Sequence, residues 1–339
     1  MGEKKNKIYL FVSLIIGLVL LIFFYSHVGI QKIFVNFSLL NLWQIILIIA
    51  LSFLALFFAV KRFQLAIKDF GKFRPSLKKT AEFWLMGYAI TYLTPTGHFG
   101  GEPVKAYALS KSYNYSFSKS LLTTIIEQSA YFLSLAVFSL IGAILFFLKR
   151  DLNVGFFLLS WFLFIVLIIF LTMKLWRNEK FFDYMFKLFF LHKIKVEKKN
   201  GQTALSLSDE IKKYGNQAIN YIRNFPPCFI LSFIYSLGFC LIWLVQAKLF
   251  FFFLGLNVSF ANLFFLKVMI DIFKLAPLPA SLGAFEAAHL LSFSFFGLSQ
   301  EGAIAFSLFG RAMDSFFAGV GLWFGTKATA KSAFELLKI

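Results

Sequence analysis

A glycine-bearing interval that runs from a proline to a glutamate seven positions later occurs once in each half of the chain: Pro95 to Glu102, and Pro279 to Glu286. Thr94, Thr96, Gly97, Gly100 and Gly101 surround the first interval, and Ser281 and Gly283 lie in the second. The register continues, because Glu127 follows Glu102 at the same interval by which Arg311 follows Glu286. Small residues let backbone approach a ligand closely, and a helix that begins beyond such a break presents unsatisfied N–H groups and a positive dipole end. That chemistry suits phosphate or carboxylate. A guanidinium such as Arg311 matches phosphate with two parallel hydrogen bonds, while Glu102 and Glu286 could carry a proton, meet a cationic group or cap their helices. Glu127 and Arg311 would come to comparable depths if an axis relates the two halves, so they either pair or face a substrate. Asp314 with Arg311, and Asp271 with Lys274, stand at i,i+3 spacing and are expected to neutralise each other locally. His98 and His289 each stand near a glutamate. No cysteine or histidine cluster has metal-ligand spacing, and no Walker loop or hydrolase motif occurs, so neither cofactor nor metal is expected.

The elements that hold these residues are apolar. Hydrophobic residues make up 59% of the 339 positions and charged residues 15%, with 50 phenylalanines. Apolar runs of this length read as bilayer spans. Six are expected, at 8–26, 42–60, 120–147, 154–173, 227–254 and 301–326, and the first reads as an uncleaved span rather than a leader peptide. The breaks lie in two further segments, 80–111 and 262–296, whose arms are short for a full crossing. They read as re-entrant helix pairs, because irregular backbone at membrane depth is tolerated only where protein or water covers it. The expected fold is an all-α integral membrane protein with six full spans plus two re-entrant helix pairs in an inverted repeat. It forms a single polytopic domain over 1–339, with repeat one at 42–148, repeat two at 227–326 and an amphipathic cytoplasmic connector at 174–226.

Charge sets the orientation. The net charge of +18 follows the topology, because most of the 34 Lys and Arg residues fall in 1–7, 61–79, 105–119, 174–226 and 327–339. Placing these on one side satisfies the positive-inside rule and puts both termini in the cytoplasm of a multi-pass cell-membrane protein. A basic face meets anionic lipid rather than nucleic acid. Cys228 and Cys240 lie on one predicted helix, about 18 Å apart at helical rise, too far to bridge.

Leu93-Thr94-Pro95-Thr96-Gly97-His98-Phe99-Gly100-Gly101-Glu102-Pro103-Val104-Lys105-Ala106, then Glu127, then Leu278-Pro279-Ala280-Ser281-Leu282-Gly283-Ala284-Phe285-Glu286 and Arg311, resemble the lysylphosphatidylglycerol synthase transmembrane-region family. That is the flippase-like membrane domain of the bacterial multiple peptide resistance factor, also found as stand-alone proteins, and the likeness extends over roughly 8–330. It implies translocation of a phosphate-bearing lipid, including aminoacylated forms, with membrane lipids as partners; a homodimer is compatible with it. Gln128 stands where the family often has an arginine after the glutamate, which removes one cation from the expected cavity. The chain is expected to lack the aminoacyl-transferase domain and to be no enzyme by itself. Two other readings stay open: a membrane-embedded glycosyl or head-group transferase using a lipid-linked donor, and a non-transporting scaffold.

Overall fold

The computed structural model describes residues 39–95, 100–175 and 217–336, together with Ile15, Val19, Ile22 and Gly215. The expected span 8–26 lies outside these apart from its three named positions, and so do the connector from 176 to 214 and Thr96, Gly97, His98 and Phe99 of the first break. Among the described residues the fold is helical, with no strand. Helix α1 covers Leu42–Ala66, α2 Leu77–Leu93, α3 Glu102–Tyr113, α4 Phe117–Leu148 and α5 Leu152–Leu175. Helix α6 covers Pro227–Phe253, α7 Phe260–Phe273, α8 Ala284–Phe295 and α9 Gln300–Leu336.

Five of these are long and apolar enough to cross a membrane: Leu42–Gly71, Phe117–Leu148, Leu152–Leu171, Pro227–Phe253 and Gln300–Lys327. They coincide with five of the six expected spans. The first runs further than its sequence suggests. Lys61 and Arg62 read as the charged end of a span, yet the helix continues through them to Ala66 and closes with a π-helical turn over Ile67–Gly71, ending at left-handed Lys72. Arg62 does not mark the membrane surface there, because it is 5% exposed and paired with Glu127 inside the protein.

The starts of the shorter helices follow local rules. Ser76 accepts from the Lys79 N–H at 3.3 Å ahead of α2, and Ser259 accepts from Asn262 N–H at 3.3 Å ahead of α7. Pro103 occupies the first turn of α3, where its missing N–H costs nothing.

The order long, short, short, long recurs. Leu42, Leu77, Glu102 and Phe117 open the first four helices, and Pro227, Phe260, Ala284 and Gln300 open α6 to α9, each close to the offset that separates Pro95 from Pro279. The two copies are antiparallel. Helix α1 packs on its counterpart α6 with Trp43 against Phe253, Gln246 bonded to Ile48 and Ser52, Phe58 against Tyr235, and Ser232 bonded to the Arg62 carbonyl. Helix α2 packs on α9, and α7 correspondingly packs on α4, where Phe138 and Phe264 lie 4.9 Å apart.

Each pair of short helices is a hairpin. In the first, Phe83 packs beside Leu109 and Tyr113 while Gly87 meets Gly101 and Lys105 near the break. A Cβ on Gly101 would collide with the Gly87 carbonyl, so glycine at 101 sets how closely the arms approach. In the second, Phe265 stacks on Phe295 at 5.7 Å and Lys274 lies over the Phe285 ring. The main core gathers Phe250, Phe251, Phe293 and Phe306 between α6, α8 and α9, which explains part of the phenylalanine content. The end of the connector, 217–223, packs back on the π turn, where Tyr221 donates to Asp69 at 2.7 Å.

Candidate functional site

At the first break, Thr94 closes α2 by donating to the Ile90 carbonyl at 2.7 Å, and the Gly101 N–H donates to Thr91 Oγ1 at 2.8 Å. Gly100 leads into this turn. Glu102 then starts α3 with its carboxylate turned into the protein, 5% exposed. Lys105, one helical turn on, donates to Glu102 Oε1 at 2.8 Å and to Glu127 Oε2 on α4 at 2.8 Å. Arg62 reaches from α1 to the other Glu127 oxygen, with Nε at 2.5 Å and Nη2 also paired. Gln128 donates to Glu102 Oε1 at 2.9 Å. Among the described residues, two polar atoms of this buried network find no hydrogen-bond partner: the donor Arg62 Nη1 and the acceptor Glu102 Oε2.

The network continues into the second half through an aromatic ring. Arg62 lies 4.9 Å from the centre of the Tyr131 ring, and Lys267 lies 6.0 Å from it. Lys267 donates to both oxygens of Asp271 at 2.6 and 2.7 Å and also faces Trp243. Three carboxylates thus meet three cations, and the group is neutral overall. Balanced pairing of this kind is what buried ions at membrane depth require.

The second break is built differently. Ala280 has φ 52, Ser281 φ 49 and Gly283 φ 76, so three of four residues are left-handed and two of them carry side chains. Arg311 holds that loop. Its Nη1 donates to the Ala280 carbonyl and its Nη2 to the Ser281 carbonyl at 2.8 Å. Nε and Nη2 also grip Glu286 at 2.8 and 2.9 Å. Glu286 in turn accepts from the Gly283 N–H at 3.0 Å, capping α8, and is fully buried. His289 binds the Phe285 carbonyl through Nδ1 at 2.7 Å, while its Nε2 is buried with no partner among the described residues.

Several expected pairings are therefore different. Glu127 and Arg311 do not meet each other: Glu127 pairs with Arg62 and Lys105, and Arg311 with Glu286. The guanidinium fork expected for phosphate is occupied by a carboxylate and two loop carbonyls. Asp271 pairs with Lys267 rather than Lys274. Asp314 accepts from Tyr88 at 2.6 Å and lies 3.9 Å from Lys274, instead of joining Arg311. Sequence reasoning missed Arg62 and Lys105, which it counted among surface cations. A signal existed for Lys105, since it stands on the same face of α3 as Glu102, one turn away.

Comparison with known proteins agrees with this architecture. A 66-residue stretch is 41% identical to part of a UPF0104 membrane protein of Methanothermobacter thermautotrophicus, covering 19% of this chain and 20% of that one. The matched stretch is thus about a fifth of either protein. The profile described as the lysylphosphatidylglycerol synthase TM region matches residues 10–321, taking in every helix from α1 to α8 and most of α9, and the chain belongs to that family.

Proposed function

We propose that the protein moves a polar, phosphate-bearing lipid, aminoacylated forms included, between the leaflets of a cell membrane and catalyses no covalent step. The observation that carries this reading is the first break: a buried, neutral ion network with one donor and one acceptor unpartnered among the described residues, set where a broken helix hairpin meets two membrane-length helices. Substrate sites of many secondary transporters have this construction, with broken helices between inverted repeats. Helices α2, α3, α7 and α8 are 17, 12, 14 and 12 residues long, about 18–26 Å at helical rise, shorter than a hydrocarbon core of about 30 Å. Folded back as hairpins, they support re-entrant elements that dip from opposite faces. The chain's basic segments support cytoplasmic termini.

Purified protein reconstituted with fluorescently labelled phospholipids tests the proposal. Glu102→Gln keeps the shape and removes one charge; it is expected to slow translocation about tenfold, equivalent to about 1.4 kcal/mol at the limiting barrier. Equal rates for wild type and this variant would reject the first break as the site. Wild-type rates no faster than protein-free vesicles, for every phospholipid offered, would reject translocation itself.

A further inference from the structure

Asp314 lies near the middle of the span Gln300–Lys327, about 20 Å of helix from either end. Its side chain is nevertheless 24% exposed. A carboxylate facing hydrocarbon at that depth costs several kcal/mol, so its open side must face water or a polar group. The protein surrounds it with more polar surface than its own pairing needs. Tyr88 donates to Oδ1 at 2.6 Å, whereas Lys274 Nζ stops 3.9 Å from Oδ2 and is 31% exposed. Beside them Tyr92 and Ser315 share a hydrogen bond of 3.0 Å at the surface. Trp84, Tyr88 and Tyr92 stack along α2, with centroids 5.2 and 6.5 Å apart and planes within 14°. The repeat does not demand any of this. The positions equivalent to Asp314, Lys274 and Tyr88 in the opposite half hold Ala130, Ile90 and Ile272.

From Ser315 a shallow apolar groove runs along α9 past Phe316, Gly319 and Val320 to Trp323. Its length is about 12 Å at helical rise. A Cβ on Gly319 would meet nothing within 4 Å, so the groove is open at its midpoint. At its far end Lys327 lies 3.7 Å over the Trp323 ring.

We propose that this patch and groove bind one phospholipid whose head group carries both a phosphate and an amine. Asp314, oriented by Tyr88, takes the amine; Lys274 takes the phosphate; the groove beside Gly319 takes an acyl chain. Charge complementarity selects this occupant, because a loosely coupled acid and base of unlike sign can each turn to one pole of such a head group. That this bound lipid is one on its way to being moved rests on the translocation reading, but binding is measured without it.

Native mass spectrometry of the purified protein offers the test, with three probes: phosphatidylethanolamine, phosphatidylglycerol and free phosphoethanolamine. Wild type is expected to retain phosphatidylethanolamine about tenfold more strongly than phosphatidylglycerol, the effect of one charge-assisted hydrogen bond, and to retain free phosphoethanolamine far more weakly. Asp314→Asn should bring the first two probes to parity. Gly319→Leu should weaken both lipids about tenfold, and because its side chain enters open space it is expected to fold, as gel filtration will show. Parity in the wild type, free phosphoethanolamine bound as well as the lipid, or Asp314→Asn retaining the preference would each overturn the proposal. A dimer peak abolished by Gly319→Leu, with lipid binding unchanged, would assign the groove to a second copy instead and overturn it as well. Selective binding without translocation by the wild type leaves this site standing and rejects only its transport role; translocation without selective binding does the reverse.

Discussion

Replacing Arg311 separates a structural bracket from a substrate ligand. Its guanidinium makes four hydrogen bonds, two to the buried Glu286 carboxylate and two to the carbonyls of left-handed Ala280 and Ser281. Removing one partner of a buried ion pair costs about 3–5 kcal/mol, because the remaining charge stays buried. Arg311→Met leaves Glu286 with the Gly283 N–H alone and should fall in that range. Arg311→Lys keeps the charge but not the planar fork, so it loses roughly one or two charge-assisted bonds and about 2–3 kcal/mol. Glu286→Gln alone leaves the guanidinium facing a neutral amide. The double variant Glu286→Gln/Arg311→Met has no uncompensated charge, so it should recover about 2 kcal/mol relative to the sum of the singles. The assay is a double-mutant cycle on thermal or denaturant unfolding in a defined detergent, followed by circular dichroism. If Arg311 served substrate instead, Arg311→Lys would unfold like the wild type, within the roughly 0.5 kcal/mol typical of substitutions that break no buried contact, and only lipid binding would suffer. That outcome, or an additive cycle, would refute the bracket.

The same loop gives a prediction of opposite sign: Ala280→Gly relieves a left-handed residue with φ 52 and should stabilise by up to about 1 kcal/mol, read by the same unfolding measurement. At the first hairpin, Gly101→Ala drives a methyl into the Gly87 carbonyl, and the arms must part; a loss of about 1–3 kcal/mol is expected, and an unchanged unfolding midpoint would show that the close approach is unnecessary.

Much of this architecture is legible in the sequence, and the misreadings have a common cause. Apolar run length locates five spans, since only a helix satisfies its own backbone in lipid. The constant offset between the two proline–glutamate motifs locates both breaks and, through them, both hairpins. Pairing is harder. Symmetry suggests that Glu127 and Arg311 meet, but an axis that relates two residues does not have to bring them together. The interval shared by Glu102–Glu127 and Glu286–Arg311 holds the better clue. Helix α3 packs on the α4 that follows it, and α8 on α9, so residues at this interval face each other within one half. Arg62 is deceptive because a charge after an apolar run looks like the membrane surface. Only its position opposite Glu127, fixed by packing of α1 against α4 and α6, shows that the helix carries it inward.

The same interval also accounts for the difference between the halves. In the second half it sets Glu286 against Arg311, opposite charges that satisfy each other and the loop between them. In the first it sets Glu102 near Glu127, two like charges that repel unless cations intervene. Lys105 stands between them and Arg62 neutralises the far side. At the equivalent positions of the second half are His289, which binds a backbone carbonyl, and Gln246, which ties α6 to Ile48 and Ser52 of α1. One substitution of sign at position 127 relative to 311 therefore requires two further cations, drawn from two different helices. Four ions cannot close on one another as completely as two, and the incomplete closure appears in Arg62 Nη1 and Glu102 Oε2, which find no partner among the described residues. The single ion pair of the second half has both its ions and its loop clamped, and the unpartnered His289 Nε2 there belongs to no ion; the four-ion half keeps its spare hydrogen-bonding capacity on the ions themselves. That asymmetry is why the first break, and not its clamped counterpart, is the better candidate for meeting a substrate.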